Sequence, residues 1–398
     1  MSTNGNSAHR RVLIAGAGIA GLSAALRLHR SGWDVLVVER APGLRGGGYM
    51  IGFLGIGYDA AERLGLAAEL ERTQPDPADL VYLDRNGRQR AVLPAAAQTA
   101  LLGPRTLSLL RGDLEAVLHD AVRDSVEIRF STTVETVDQD AEGVTVSLSD
   151  GRRERVDLLL GADGLHSTVR ELVFGPEEEF RLDFGHSVAT YLLERAPAAV
   201  PAATTVSMDL VGRSVGVYRV RQGRAAAFFA FRGTHPGADA VAVLRREFGD
   251  LGWAVPDLLR GLDGAESIYF DRICQIRMDR WSTGRVALLG DAAWCVSLFA
   301  GYGSSLAVGG ADLLGDALDT TPEDIPAALA AWERRLRPTV AHKQRQGRRA
   351  RALFVTPNAL ALQLRLWALR LSASGLVLWL MRRFLGLSSR GRAMRQTS

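Results

Sequence analysis

Apolar positions along this 398-residue chain come in two textures. The first is short unbroken runs: Arg11-Val12-Leu13-Ile14-Ala15, Asp34 to Glu39, Val156 to Leu160 and Arg285 to Leu289. Such runs read as strands covered on both faces, the habit of parallel sheets. Between the first two, the stretch from Ile19 to Ser31 predicts a helix closed by Gly32. A helix is also predicted over 113–123, with Asp113 near its start. Strands follow at 126–130, 133–138 and 143–148, and Ser149-Asp150-Gly151 makes a hairpin-like turn. The second texture runs from about 180 to 271. Segments 187–194, 204–210, 214–220 and 224–232 are short, rich in β-formers and separated by Gly, Pro or Arg. They predict an antiparallel sheet of about four strands. From Gly303 onward the pattern is helical, with breaks near Pro322, Pro338 and Pro357.

Composition, at 47% hydrophobic and 23% charged residues, is that of an ordinary globular protein of more than one domain. The net charge of +4 hides an asymmetry: 15 of the 48 basic residues and none of the 44 acidic ones follow Glu333. These basic residues form no groove-binding module, so nucleic acid is not an expected partner. Two cysteines, Cys274 and Cys295, cannot build a disulfide framework, and the polar start Met1 to Arg11 holds no signal peptide. A cytoplasmic location follows as the expectation. The basic segment 359–385 has a charge-free run, Leu371 to Met381, too short to cross a bilayer. It is expected to pack on the protein's own acidic body; a membrane-surface helix or the docking of an acyl carrier protein are the alternatives. His166 and His186 stand isolated, no Cys/His/Asp cluster has metal-site spacing, and no nucleophile triad is visible.

The chemistry lies in glycine turns. Gly16-Ala17-Gly18-Ile19-Ala20-Gly21 follows a strand and opens a helix. Gly16 permits the sharp turn, Gly18 lets backbone approach a pyrophosphate, and Gly21 lets helix pack on sheet. Glu39 ends the next strand, where a carboxylate accepts ribose hydroxyls and repels a 2′-phosphate. Asp163-Gly164 and Gly290-Asp291-Ala292 each close an apolar run, and the Asp291 carboxylate suits a ribityl hydroxyl. Ala300-Gly301-Tyr302-Gly303-Ser304 opens a helix whose free N–H groups could face negative charge on a reduced flavin. In this order the set points to FAD.

With these motifs the chain resembles the class A flavoprotein monooxygenases, the family of p-hydroxybenzoate hydroxylase and the tetracycline-inactivating hydroxylases. The matching pieces are GAGIAG with Glu39, Gly47-Gly48-Tyr49 running to Gly57-Tyr58-Asp59, Leu110-Arg111-Gly112-Asp113-Leu114, GADGLHSTVR and GDAAWCVSLFAGYGSS. The resemblance implies an α/β fold with a discontinuous Rossmann-type FAD domain (1–72, 104–178, 272–340), an antiparallel-sheet substrate domain (73–103, 179–271) and a C-terminal basic helical region (341–398). It implies FAD contacts from Gly16, Gly18, Gly21, Glu39, Arg40, Arg111, Asp163 and Asp291, and a candidate set that adds Ile19, Ala20, Arg45, Val134, Gly164, Gly290, Ala292, Gly301, Gly303 and Ser304. Asp163, Ser167 and Arg170 would serve both FAD and a nicotinamide cofactor. No second nucleotide fingerprint occurs, so NADPH or NADH would bind transiently at a surface groove.

The family chemistry is reduction of FAD by NAD(P)H, addition of O₂ at flavin C4a, and delivery of oxygen from the hydroperoxide. The expected enzyme is therefore an FAD-dependent hydroxylase or epoxidase acting on a hydrophobic, polyketide-like small molecule in antibiotic biosynthesis or similar metabolism. Alternation puts Phe229 and Phe231 on one sheet face and Phe228 with Arg232 on the other. The candidate pocket is Tyr191, Met208, Tyr218 and Phe229 from the sheet, with Trp294, Phe299 and Tyr302 from the flavin loops. Trp294, Ser297, Leu298 and Tyr302 depart from the family pattern, and no acid stands near Gly52. The departures motivate a second reading, a flavin-retaining cyclase or isomerase without redox turnover. The basic tail alone suggests a third, a non-catalytic membrane-docked flavoprotein.

Overall fold

The computed structural model describes residues 10–44 and 48–370. Arg45, of the candidate cofactor set, and the run Leu371 to Met381 lie outside the described residues. The unbroken apolar runs form one six-stranded sheet, in the order Ser282–Thr283, Val286–Leu288, Leu158–Gly161, Arg11–Ala15, Asp34–Val38, Glu127–Arg129. All neighbours are parallel except the first pair, and Leu13 aligns with both Leu36 and Leu159. Val12, Leu13, Ile14 and Leu158 to Leu160 are completely buried because helices and the neighbouring sheet cover both faces. Each such Leu or Val stabilises the fold by about 1.5–3 kcal/mol. Helices Ile19–Arg30 and Gly303–Thr320 pack together, with Arg27 held by Asp316 and Asp319 of the second.

The strands at Val134–Gln139, Val144–Leu148 and Arg153–Val156 form a separate three-stranded antiparallel sheet. Met50–Leu54 pairs with Thr106–Leu110, which carries the chain into the helix Arg111–Asp120. That helix starts two residues before the predicted one.

The second texture forms five strands rather than about four, and two from the 73–103 segment complete a seven-stranded sheet in the order Tyr269–Ile276, Arg181–Leu193, Ala225–Arg232, Arg213–Arg219, Thr204–Leu210, Asp79–Leu83 and Gln89–Leu93. Three were missed as members of this sheet. Asp79–Leu83 joins Thr204–Leu210 in parallel from more than a hundred residues away, and Tyr269–Ile276 runs across the expected boundary at 271. Sheet partners that distant leave no local signal.

The sheet has two unlike faces. Ala189, Tyr191, Val206, Met208, Val215, Val217, Ala227, Phe229 and Phe231 share a core with helices Ala240–Phe248 and Val255–Gly261. Their alternates, among them Val188, Leu192, Tyr218, Ala226, Phe228 and Ala230, turn the other way and pack with Met50, Leu110 and Phe299. The helix Ala359–Arg370 lies against the sheet edge, where Leu366 and Leu369 bury beside Ala91 and Arg365 pairs with Asp209. No helix among the described residues is long and apolar enough to cross a membrane.

Candidate active site

The glycine turns, spread over nearly three hundred residues, meet at the carboxyl edge of the parallel sheet. Gly16 has φ +106°, and a Cβ there would lie 2.5 Å from the Ala162 carbonyl oxygen and 3.0 Å from Asp163 Cα. A Cβ on Gly21 would collide with the Gly16 carbonyl oxygen, and one on Gly290 would sit 2.7 Å from Ala20 Cβ. Gly18 faces the end of Arg111: its Cβ would be 3.7 Å from that guanidinium. Bare backbone at these positions leaves a cradle at the start of helix Ile19–Arg30, whose Gly18 N-cap offers no side-chain cap to the first N–H groups. A pyrophosphate fits that donor set. Ile19 and Ala20 are buried beneath the loop, and Val134 is a core residue of the three-stranded sheet.

Glu39 accepts one backbone N–H on each carboxylate oxygen, Ala17 N at 2.9 Å and Ala41 N at 2.8 Å. Each oxygen keeps a lone pair for a further donor. Arg40 beside it is exposed. Asp163 is committed inward: it accepts from Ser167 Oγ at 2.5 Å and Val169 N at 3.0 Å, while Ser167 Oγ caps the next helix by accepting from Arg170 N. Arg170 is fully buried and donates to the carbonyls of Leu165 and Ala292 and to Glu177. Its bond to Ala292 ties the Asp163-Gly164 turn to the Gly290-Asp291 turn.

Asp291 opens the short helix Asp291–Trp294 and directs its carboxylate into the cleft between Arg111, Tyr49 and Cys295. Asp291 is open to solvent at the cleft mouth, yet desolvation by the protein packed around it raises its proton affinity, against the pull of Arg111. Burial opposes the charge on Arg111, yet Glu115 (2.8 Å), Tyr49 and Asp291 outweigh it and fix the cation. Burial also holds the Tyr49 phenol protonated, its pKa pushed up to about 12. Tyr49 lies 5.9 Å from Tyr269, ring centre to ring centre. Gly301 and Gly303 border the same cleft: Gly52 faces the Gly301 carbonyl and Gly303 faces Asp291. Ser304 is in the first turn of the helix Gly303–Thr320, which has no side-chain cap.

The candidate pocket divides. Tyr218 lies on the sheet face toward the cleft, edge-on to Phe228 at 6.2 Å, and Phe299 packs there against Phe184 at 6.1 Å. Tyr191, Met208 and Phe229 do not line this side. They alternate onto the opposite face, where Phe229 packs on Phe248 at 5.0 Å and the Tyr191 hydroxyl donates to the Leu258 carbonyl. Trp294 is no pocket wall either: only 1% exposed, it joins Trp281 at 4.7 Å and Trp332 at 5.7 Å in a buried cluster. Tyr302 is a pillar; its hydroxyl accepts from Ile56 N at 3.3 Å, and Lys343 Nζ lies 3.8 Å above its ring. His166, isolated in sequence, bridges Glu177 at 2.8 Å and Asp271 at 3.2 Å, because the fold brings three segments together. Tyr49, although part of a quoted motif, and Tyr269 were missed as cleft residues. Phe228 was placed on the face opposite Phe229 without that face being assigned to the pocket; the register makes it a diagonal neighbour of Tyr218. Among the described residues no group of three His, Cys, Asp or Glu is placed to hold a metal ion.

Residues 9–185 match the family model described as an FAD binding domain. A flavin-dependent monooxygenase from an unknown prokaryotic organism is 30% identical over 354 residues, 85% of this chain and 88% of the relative. The chain belongs to the flavin-dependent monooxygenases. Its architecture is that of the p-hydroxybenzoate hydroxylase-like enzymes, and its cofactor is FAD. Tetracycline destructase Tet(51) superposes on this monooxygenase with a TM-score of 0.78, at 28% identity over 91% of this chain and 96% of that one. Klebsiella pneumoniae HpxO, solved with FAD and uric acid, gives a TM-score of 0.76 at 28% identity over 95% of this chain and 97% of its own.

Proposed function

We propose that FAD lies along the groove from Glu39 to Asp291, and that the enzyme uses NADH or NADPH and O₂ to oxygenate an apolar small molecule. In this reading the Gly16 to Gly21 turn and the helix behind it take the pyrophosphate, Glu39 takes the adenosine ribose, and Arg111 and Asp291 take the ribityl chain. Bound FAD supplies the electron transfer and oxygen activation; the protein binds, orients and excludes water. The uncapped start of helix Gly303–Thr320 faces the cleft and places partial positive charge there. Tyr49, held protonated by burial, keeps its O–H as a donor inside the cleft.

The observation that carries the reading is the meeting of Gly18, Arg111 and Asp291 beside an apolar sheet face. The substrate would rest on that face, formed by Met50, Leu192, Tyr218 and Phe228. Few charges stand there, which favours a hydrophobic body of the polyketide type, and a cytoplasmic setting supplies the nicotinamide. The test is NAD(P)H oxidation by the yellow protein with a panel of apolar substrates under labelled O₂. Product carrying one labelled oxygen is the expected result; a bound flavin that neither nicotinamide reduces, with any substrate present, would refute it. Of the positions that motivate a non-redox cyclase or isomerase, Trp294 and Tyr302 are packing groups here, which leaves Leu298, beside Phe299, as the observation behind that reading.

A further inference from the structure

At the Ile276 end of strand Tyr269–Ile276, the end opposite Tyr269, lies a second cleft, with a volume of about 780 Å³. It opens between segment 174–182, segment 276–281 and the helix Ile325–Phe354. Its lining includes the apolar side chains Phe180, Met278 and Val340. Its rim carries four arginines, Arg181, Arg277, Arg280 and Arg337, against two acids, Glu179 and Asp279.

The four arginines are not equivalent. Arg337 pairs with Glu333, donates to the Met278 carbonyl at 3.1 Å and lies 4.4 Å over the Trp281 ring, so its position is fixed. Arg181 is held by Glu177 and Asp183. Arg277 and Arg280 meet no carboxylate among the described residues, although Asp279 stands between them in sequence. These two guanidinium groups stand without a carboxylate among the described residues, at the mouth of a concave space. Positive charge is dense here: after burial, repulsion from Arg277, Arg345 and Arg349 lowers the proton affinity of Arg348 on the adjoining helix. A volume in the ligand-pocket range, three apolar side chains in the lining and nearby donors give the elements of a small-molecule site, and guanidinium forks suit carboxylate or phosphate.

We propose that this cleft is a second ligand site, distinct from the flavin cleft, which takes an organic anion: an aromatic or aliphatic body with a phosphate or carboxylate head held by Arg277 and Arg280. The apolar body lies on Phe180, Met278 and Val340, and the fixed guanidinium of Arg337 closes one wall.

The experiment uses the full-length, FAD-loaded protein titrated calorimetrically with 2-naphthyl phosphate, and with 2-naphthol as its uncharged match. The phosphate is expected to bind with one-to-one saturation, at least about tenfold tighter than the naphthol. The double charge reversal R277E/R280E is expected to weaken it by at least about tenfold, while R152E/R153E on the distant hairpin leaves it unchanged. Equal binding of the two ligands, or binding that survives R277E/R280E, overturns the proposal; the latter places the ligand elsewhere, the flavin cleft included. Flavin absorbance reports folding of each variant. Should R277E/R280E lose its flavin, the native protein still decides: raising salt from about 50 to about 500 mM must weaken the phosphate several-fold, and salt-insensitive binding refutes the site.

Discussion

The two sheets of this monooxygenase carry function in opposite ways. At the parallel sheet the chemistry rests on what is missing, the side chains at Gly16, Gly18, Gly21 and Gly290, and a Cβ at most of these would strike named backbone or side-chain atoms. At the antiparallel sheet the proposed substrate wall depends on which alternate residues turn toward the cleft, Tyr218 and Phe228 rather than Phe229 and Met208. A cradle made of backbone is written in residue identity. A wall made of side chains is written in register and in what covers each face.

The sharpest way to break the comparison is Gly21→Val. A side chain there collides with the Gly16 carbonyl, so FAD affinity is expected to fall at least about a hundredfold, about 3 kcal/mol, with much of the protein isolated colourless. A variant that purifies with full flavin content contradicts the backbone cradle. Next comes the pair Phe229→Ala and Phe228→Ala. The first opens a cavity in the helix-backed core and should cost about 3–5 kcal/mol in denaturant unfolding, with catalysis per folded molecule unchanged. The second should leave stability nearly intact and raise KM for the apolar substrate by about tenfold. Reversed phenotypes would mean that the faces have been exchanged.

Asp291→Asn sharpens the other side of the comparison. It keeps the shape but weakens the charge-assisted bond that the carboxylate offers, so flavin release should quicken with about a tenfold loss of affinity, about 1.4 kcal/mol, and an unaltered apoprotein melting temperature. The smallest effect belongs to His166. Its bond to Asp271 comes first, burial opposes, and Glu177 adds to the net rise of its pKa above the ordinary 6.5. The stabilisation is therefore fully present below about pH 6.5 and fades as pH rises through the raised native value. Because the ring is half exposed, its size is under about 1 kcal/mol. His166→Gln should flatten that part of the stability-versus-pH curve, and an unchanged slope removes the histidine from it.

The parallel sheet was legible nearly residue by residue because unbroken apolar runs and glycine turns are local signals, and Glu39 and Asp291 sit where those turns require. The other sheet was legible as texture only. Phe229 and Phe228 are neighbours of one type, and nothing in sequence says that helices Ala240–Phe248 and Val255–Gly261 cover the first. Trp294 stayed ambiguous between core and pocket wall, and Tyr302 was misread, for the same reason. An aromatic residue beside a cofactor motif can turn inward, and here Trp281, Trp332 and the N–H of Ile56 supply inward partners. His166 looked solitary because its carboxylates come from two other segments.

The bond from Arg170 to the Ala292 carbonyl has a consequence for motion. It staples two loops contributed by different thirds of the chain through a cation that water does not reach. Moving the 290–294 loop away costs the buried cation its Ala292 bond and leaves it only Glu177 and the Leu165 carbonyl, so the amides at 163–170 and 290–294 should exchange with deuterium together. On that expectation the floor of the proposed flavin groove moves as a single plate.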